Sequence, residues 1–218
     1  MIFTSMKISA GGGEYSFFTE DGGRYTISVA DAKRLSLADL CADDLPIEFE
    51  DDELMEFLSS KLSAIKYCTY LMSFSDKSES ALKRKMREKG YSSHIADEAL
   101  SVLRNSGFTD DGGLCVKKYQ AIAISKLYGP HRIKAELIAK GFSTQDINHA
   151  QNVCCVDFDK LLSELIQKLL KSKKVDFSNR EEITKFKAKL SRYGYSFDTI
   201  NAVLTHYCDC DDGFYEDY

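Results

Sequence analysis

Apolar residues recur at helical spacing through most of the chain, and three stretches repeat one pattern. LKRKMREKGYSSHIADEALSVL from Leu82, IKAELIAKGFSTQDINHAQNVC from Ile133 and FKAKLSRYGYSFDTINAVLTHY from Phe186 align without gaps. Their shared glycines, Gly90, Gly141 and Gly194, lie 51 and 53 residues apart. Eight residues before each glycine stands Leu82, Ile133 or Phe186, and four before it Met86, Leu137 or Leu190. One residue after it comes Tyr91, Phe142 or Tyr195, and nine after it Ala99, Ala150 or Val203. These spacings lay one apolar face on a helix before the glycine and another on a helix after it.

The glycine predicts a helix stop. It takes the left-handed conformation without strain, and the Schellman arrangement then sets the residue after it against the residue four before it. That pairs Tyr91 with Met86, Phe142 with Leu137 and Tyr195 with Leu190. Ser92, Ser143 and Ser196 follow as N-caps of the next helix. Ser78 caps a helix near 79–89, Pro130 suits the first position of one near 130–140, and Ser178 with Glu181 forms a capping box for one near 179–193. A further helix precedes each pair, near 52–73, 113–127 and 158–172. The last carries the stripe Leu161, Leu162, Leu165, Ile166, Leu169 and Leu170. Tandem units of this kind bury their faces on their neighbours and make an elongated array.

The first 30 residues keep a different period. Tyr25, Ile27 and Val29 alternate with Thr26 and Ser28, and Asp21-Gly22-Gly23 separates SFFTE from RYTISV as a hairpin turn. Gly11-Gly12-Gly13 turns an earlier strand near Met6–Ala10 into this hairpin. Asp31 is expected to cap a short helix, and Leu45-Pro46 marks a break. A three-stranded unit needs support, and the first helical repeat is the expected one. The predicted fold is therefore mainly α: three tandem three-helix repeats in an elongated curved array after a small N-terminal β-hairpin module. The boundaries are 1–50 for the acidic β module, 51–110, 111–157 and 158–208 for the repeats, and 209–218 for an acidic, flexible tail.

Charge sharpens the picture. The chain of 218 residues has a net charge of −5, yet residues 1–60 carry 4 basic and 13 acidic side chains, and residues 209–218 carry 5 acids and no base. The body between them, 61–208, carries 25 basic and 16 acidic side chains. An acidic head and tail flank a basic body, a pattern suited to a polyanionic partner, either nucleic acid or an acidic protein. The plainer reading is added solubility. No apolar run is long enough to span a membrane, and the N-terminus lacks the three-part order of a signal peptide. A cytoplasmic location follows as the expectation. Seven cysteines, without a CxxC pair, read as reduced thiols that mostly serve as small core residues.

Catalytic chemistry is hard to find. There is no Walker A loop, no GxGxxG after a strand and no GxSxG elbow. His206, Cys208 and Cys210 supply three potential zinc ligands without the second pair that a closed site needs. Asp110-Asp111 suits a metal-dependent nuclease less well than a helix start, where one Asp caps and the other favours the positive helix end. No catalytic residue, metal or cofactor is expected.

The body resembles the RecX family, regulators of the recombinase RecA. The run from Leu127 to Phe142, LYGPHRIKAELIAKGF, is similar to the family signature "yGp-rI-aEL--KGi". Lys89-Gly90-Tyr91 followed by Gly107-Phe108-Thr109-Asp110-Asp111 resembles "KGy…GylDD", and Lys77-Ser78-Glu79 stands where the family has Arg-Ser. The resemblance covers about residues 60–208. Gly112-Gly113-Leu114-Cys115 replaces the family's basic residue and Phe-Ala, and Lys77 replaces Arg, which bears on any contact that needs a bidentate guanidinium. The resemblance implies a curved helical rod in the groove of the RecA–DNA filament. It implies a non-enzymatic regulator, monomeric, that modulates recombination, strand exchange and the SOS response, touching single-stranded DNA directly or through RecA. The alternatives are a generic helical-repeat adaptor and, further off, a nucleic-acid-processing enzyme.

One pattern offers candidate contacts. The position seven residues before each repeat glycine is Lys in all three units: Lys83, Lys134 and Lys187. Arg84 and Arg87 join the first, Arg132 the second, and Lys185 and Lys189 the third. Equivalent places in stacked repeats would form a basic, partner-facing ridge. Exposed helix positions also hold Lys for propensity and solubility alone.

Overall fold

The computed structural model describes residues 1–172 and 175–211. It is mainly helical, with a small antiparallel sheet at the N-terminus. The chain forms two compact units, Met1–Thr109 and Asp110–Tyr218.

In the first unit, β1 (Ile2–Ile8) pairs with β2 (Glu14–Thr19) but begins and ends earlier than the strand expected near Met6–Ala10, while β2 and β3 (Arg24–Ser28) pair as the alternation and turn residues predict. A fourth strand, β4 (Ile47–Glu48), pairs with β1 at the opposite edge, giving the order β3-β2-β1-β4. Two residues carry no period, so the sequence pattern stops at three strands. The sheet rests on α2 (Asp52–Phe74) through Phe3, Phe17, Ile27, Met55 and Leu58, all fully buried. Ser59 Oγ accepts from Thr26 N at 3.1 Å, and Lys61 of α2 meets Asp31 at 3.2 Å. The sheet therefore finds the support it needs in the first helix of the repeat region.

Asp31 does not cap. The short helix α1 (Val29–Arg34) is capped by Ser28, whose Oγ accepts from Asp31 N at 3.1 Å and donates to the Asp31 carboxylate at 2.8 Å. Ser28 is still extended where Asp31 is already helical, so only the serine meets the backbone demand of a cap.

The remaining helices come in threes. α2, α3 (Glu79–Glu88) and α4 (Ser93–Asn105) enclose Ala64, Cys68, Leu82, Met86, Ala99 and Leu103. In the second unit, α5 (Asp111–Lys126), α6 (Pro130–Ala139) and α7 (Thr144–Cys154) enclose Cys115, Tyr119, Ile133, Leu137 and Ala150. Then α8 (Phe158–Ser172), α9 (Arg180–Arg192) and α10 (Phe197–Asp211) enclose Leu162, Ile166, Phe186, Leu190 and Val203. The repeat positions eight before, four before and nine after each glycine are buried in all three triplets.

The glycine stops form. Gly90, Gly141 and Gly194 have φ of +99°, +89° and +95°. Tyr91 N donates to Met86 O and Phe142 N to Leu137 O, each at 3.1 Å, while Gly90 N and Gly141 N donate to Arg87 O and Ile138 O. These are the two bonds of the Schellman motif. A further copy closes α4, where Gly107 N donates to Arg104 O and Phe108 N to Leu103 O, both at 2.9 Å. Ser78, Ser92 and Ser143 cap as expected, and Ser196 Oγ accepts from Thr199 N at 3.1 Å. Ser178 does not cap α9. Asn179 does, accepting from Glu181 N at 2.9 Å and Glu182 N at 3.4 Å, while Ser178 N is held in a turn by Asp176 Oδ1.

α10 continues through Asp211, three residues into the segment expected as tail. Residues 212–218, and the side chains of His206, Cys208 and Cys210, lie outside the described residues.

Candidate partner-binding surface

The basic candidates stand on the middle helix of each triplet. On α3, Lys83 is half-buried and ion-paired to Asp97 of α4, Arg84 reaches Glu88 at 3.8 Å, and Arg87 is exposed. On α6, Lys134 is half-buried. On α9, Lys185 lies 3.4 Å from Glu181, Lys187 is half-buried, and Lys189 is exposed. Lys83, Lys134 and Lys187 thus share one degree of burial, each flanking the core position beside it. Lys185 and Lys189, one turn apart, border a cavity of about 250 Å³ floored by Leu169, Val175 and Phe186, with Glu182 at its rim. The Lys83 group lies in the first unit and the other two in the second.

Arg132 is different. Its Nη1 donates to Arg192 O at 2.6 Å, and its guanidinium lies 4.3 Å from the centroid of the Tyr128 ring. It belongs to a joint in which the start of α6 abuts the end of α9. Gly129 N donates to Tyr193 O at 2.8 Å, and His131 N to Gly194 O at 3.2 Å. Tyr195 Oη donates to Leu127 O at 3.2 Å, and the Tyr128 and Tyr193 rings meet edge to face at 6.0 Å. Gly129 has no side-chain cap. Free N–H groups at one helix start and free carbonyls at another helix end satisfy each other, with the positive end of one dipole against the negative end of the other. The backbones approach so closely that a Cβ on Gly129 would stand 2.4 Å from Gly194 O, and one on Gly194 would stand 2.4 Å from Arg132 N. The Tyr-Gly-Pro-x-Arg run is a close-packed joint between the second and third triplets.

Other motif residues are also engaged internally. Glu136 is gripped by Lys126 at 2.8 Å and Lys140 at 2.9 Å. Burial pushes its carboxyl up, but the two ammonium hydrogen bonds outweigh this and hold it below the usual range. Glu79, at the start of α3, accepts a two-pronged bond from Arg104 and a 2.8 Å bond from Thr109 Oγ1. The Arg104 hydrogen bond holds its carboxyl below the ordinary value. Asp110 Oδ1 accepts from Gly113 N at 3.0 Å, so Asp110 is the cap of α5, and Asp111 sits in its first turn. Gly113 leaves room for that carboxylate: a Cβ there would stand 2.2 Å from Asp110 Oδ2. Cys68 and Cys115 are buried, and burial pushes each thiol up to about 11, so neither is a ready nucleophile. Among the described residues no group of three metal-ligating side chains converges, and no helix is long and apolar enough to cross a membrane.

Residues 64–103 match the family model described as RecX, first three-helix domain, the segment that spans α3, α4 and the second half of α2. The regulatory protein RecX of Pseudomonas savastanoi pv. phaseolicola is 31% identical over 125 residues, which cover 57% of this chain and 78% of that protein. This chain belongs to the RecX family. A second RecX, from Clostridium tetani, is 29% identical over 168 residues, covering 74% of this chain and 71% of the relative. Two solved RecX structures share the fold. One has a TM-score of 0.74 at 16% identity, covering 94% of this chain and all of the other. The second, from Lactobacillus salivarius, has a TM-score of 0.58 at 19% identity, covering 67% and 96%.

The motif residues that make a RecX recognisable are therefore, in this chain, largely residues that hold helices to one another. Sequence reasoning found Pro130 as a helix start and missed what the start docks on. The available signal was Gly129, a helix-entry residue with no side chain to cap with.

Proposed function

We propose that this RecX-family chain binds the RecA recombinase, or its filament on single-stranded DNA, and modulates recombination, strand exchange and SOS activity without catalysing a reaction of its own. The observation that carries this reading is the match of its helical repeats to proteins named regulatory protein RecX. The strongly basic body supports a partner of negative charge. Lys83, Lys134 and Lys187, with Arg84, Arg87, Lys185 and Lys189, are the proposed contacts. Arg132 contributes to them through the joint that it stabilises.

The test is RecA-driven strand exchange and RecA ATP hydrolysis on single-stranded DNA, with and without the purified chain. The proposal expects a dose-dependent change in both at substoichiometric ratios to RecA. It is refuted if neither rate changes when the chain equals RecA in concentration. ATP or DNA hydrolysis by the chain alone would favour the enzyme alternative instead.

A further inference from the structure

The second half of α2 carries an aromatic stripe that starts at the edge of the core with Tyr67 and leaves it with Tyr70 and Phe74. Tyr67, Tyr70 and Phe74 are spaced by three and four residues, so they lie along one face of the helix. The adjoining face supplies Ala64 and Cys68 to the core, both fully buried. Tyr70 is 60% exposed and Phe74 70% exposed, and their rings meet edge to face with centroids 4.9 Å apart. Tyr67 continues the stripe toward α3. Its ring lies 6.4 Å from that of Tyr91, and Lys89 Nζ stands 6.0 Å from its centroid. Scattered exposed apolar residues are ordinary, whereas neighbouring aromatic rings on one face mark a contact surface.

The surrounding charge selects the occupant. Residues 61–91 carry eight basic side chains and three acidic ones. Two of those acids are already engaged, Glu79 by Arg104 and Glu88 by Lys85 at 2.6 Å. We propose that Tyr67, Tyr70 and Phe74, with Tyr91 beside them, form a stacking platform for single-stranded nucleic acid. Bases stack on the rings, and Arg87 and Lys89 at the end of α3 meet the phosphates. An acidic protein would satisfy the cations but would give the exposed rings of Tyr70 and Phe74 no reason to be aromatic, whereas every base offers a π-face. From Tyr67 to Phe74 the helix rises about 10 Å, the length of about three stacked nucleotides. The inference deepens the function proposed above and rests on it in one respect: the strand offered is the one that the recombinase filament carries.

The chain contains no Trp, so Phe74→Trp installs a single indole on the platform. Binding of oligothymidylate at low salt should quench that fluorescence in step with the anisotropy of the labelled oligonucleotide. The double variant Tyr70→Ala, Phe74→Ala should melt like the parent and bind roughly thirtyfold or more weakly, given the usual contribution of a stacked base. Tyr70→Phe should bind normally, because stacking needs the ring and not the hydroxyl. The platform is overturned if the oligonucleotide binds while the indole is unquenched and the double Ala variant keeps full affinity. It is equally overturned if no oligonucleotide binds and the indole responds to DNA-free RecA, which would make the stripe a protein-docking face. RecA strand exchange measured with the same proteins separates the two claims. A wild type that binds and quenches yet leaves RecA unaffected supports the platform while refuting the proposed function. A wild type that regulates RecA while the double Ala variant binds and regulates equally well refutes the platform alone.

Discussion

Replacing Gly129 by Ala gives opposite results depending on whether the α6–α9 joint exists. Gly129 has φ −75° and ψ 167°, a conformation that alanine adopts freely. Without the joint, the substitution would only restrict the unfolded chain, and stability would rise by about 0.4–1 kcal/mol. With the joint, the new Cβ would meet Gly194 O at 2.4 Å, Gly194 C at 2.5 Å and Tyr195 N at 2.7 Å. All three are backbone atoms and cannot swing aside. The start of α6 must retreat by about 1 Å to reach ordinary contact, near the cost of overpacking a core, about 1–3 kcal/mol. That retreat stretches the bonds from Gly129 N and His131 N to the end of α9, each contributing about 0.5–1.5 kcal/mol. After subtracting the unfolded-state gain, the net loss should be about 3 kcal/mol. A melting temperature lower by about 6–12 °C follows for a chain of this size. Thermal unfolding followed by circular dichroism, with calorimetry, reads it. Gly194→Ala should cost more alone, since it adds a positive φ of +95° to the same clash. The two substitutions should be less than additive, because either one opens the joint. A Gly129→Ala protein that melts at or above the parental temperature would refute the joint and the structural reading of the Tyr-Gly-Pro-x-Arg motif.

Three further outcomes follow from the same geometry. Tyr119 is buried with a hydroxyl that has no hydrogen-bond partner among the described residues, so Tyr119→Phe should raise stability by about 1 kcal/mol in urea denaturation. Glu79 has a lowered carboxyl pKa in the folded chain, so its contribution is full above the ordinary value of 4.5 and fades as pH falls through the folded value. Glu79→Gln should therefore destabilise at pH 7 and converge on the parent in strongly acidic buffer; an equal deficit at both pH values would contradict this. The triple variant Lys83→Glu, Lys134→Glu, Lys187→Glu should melt close to the parent, because the ion pair that it breaks, Lys83 with Asp97, is largely solvated. It should also lose filament binding, with a salt slope reduced by roughly 0.7 per lost contact to single-stranded phosphates. A folded triple variant that regulates RecA normally would return these lysines to solvated surface.

Local rules determined much of this protein from its sequence. The three glycine stops, the serine caps, the hairpin and the buried repeat positions all depend on residues within about ten positions of one another. Backbone sterics and helical period act at that range. The failures were local in a finer sense. Ser178 and Asp31 are good capping residues, but the cap goes to whichever neighbour first leaves helical geometry, and the turns that decide this are set by Asp176 and Ser28. The tertiary structure decided the rest. Residues about 60 positions apart meet in the α6–α9 joint, and Gly129 announces itself there only by lacking a side chain. Arg132, read from its charge as a partner contact, spends its guanidinium on Arg192 O and the Tyr128 ring. A charge in a sequence states what a residue can bind, and only packing states what it meets first.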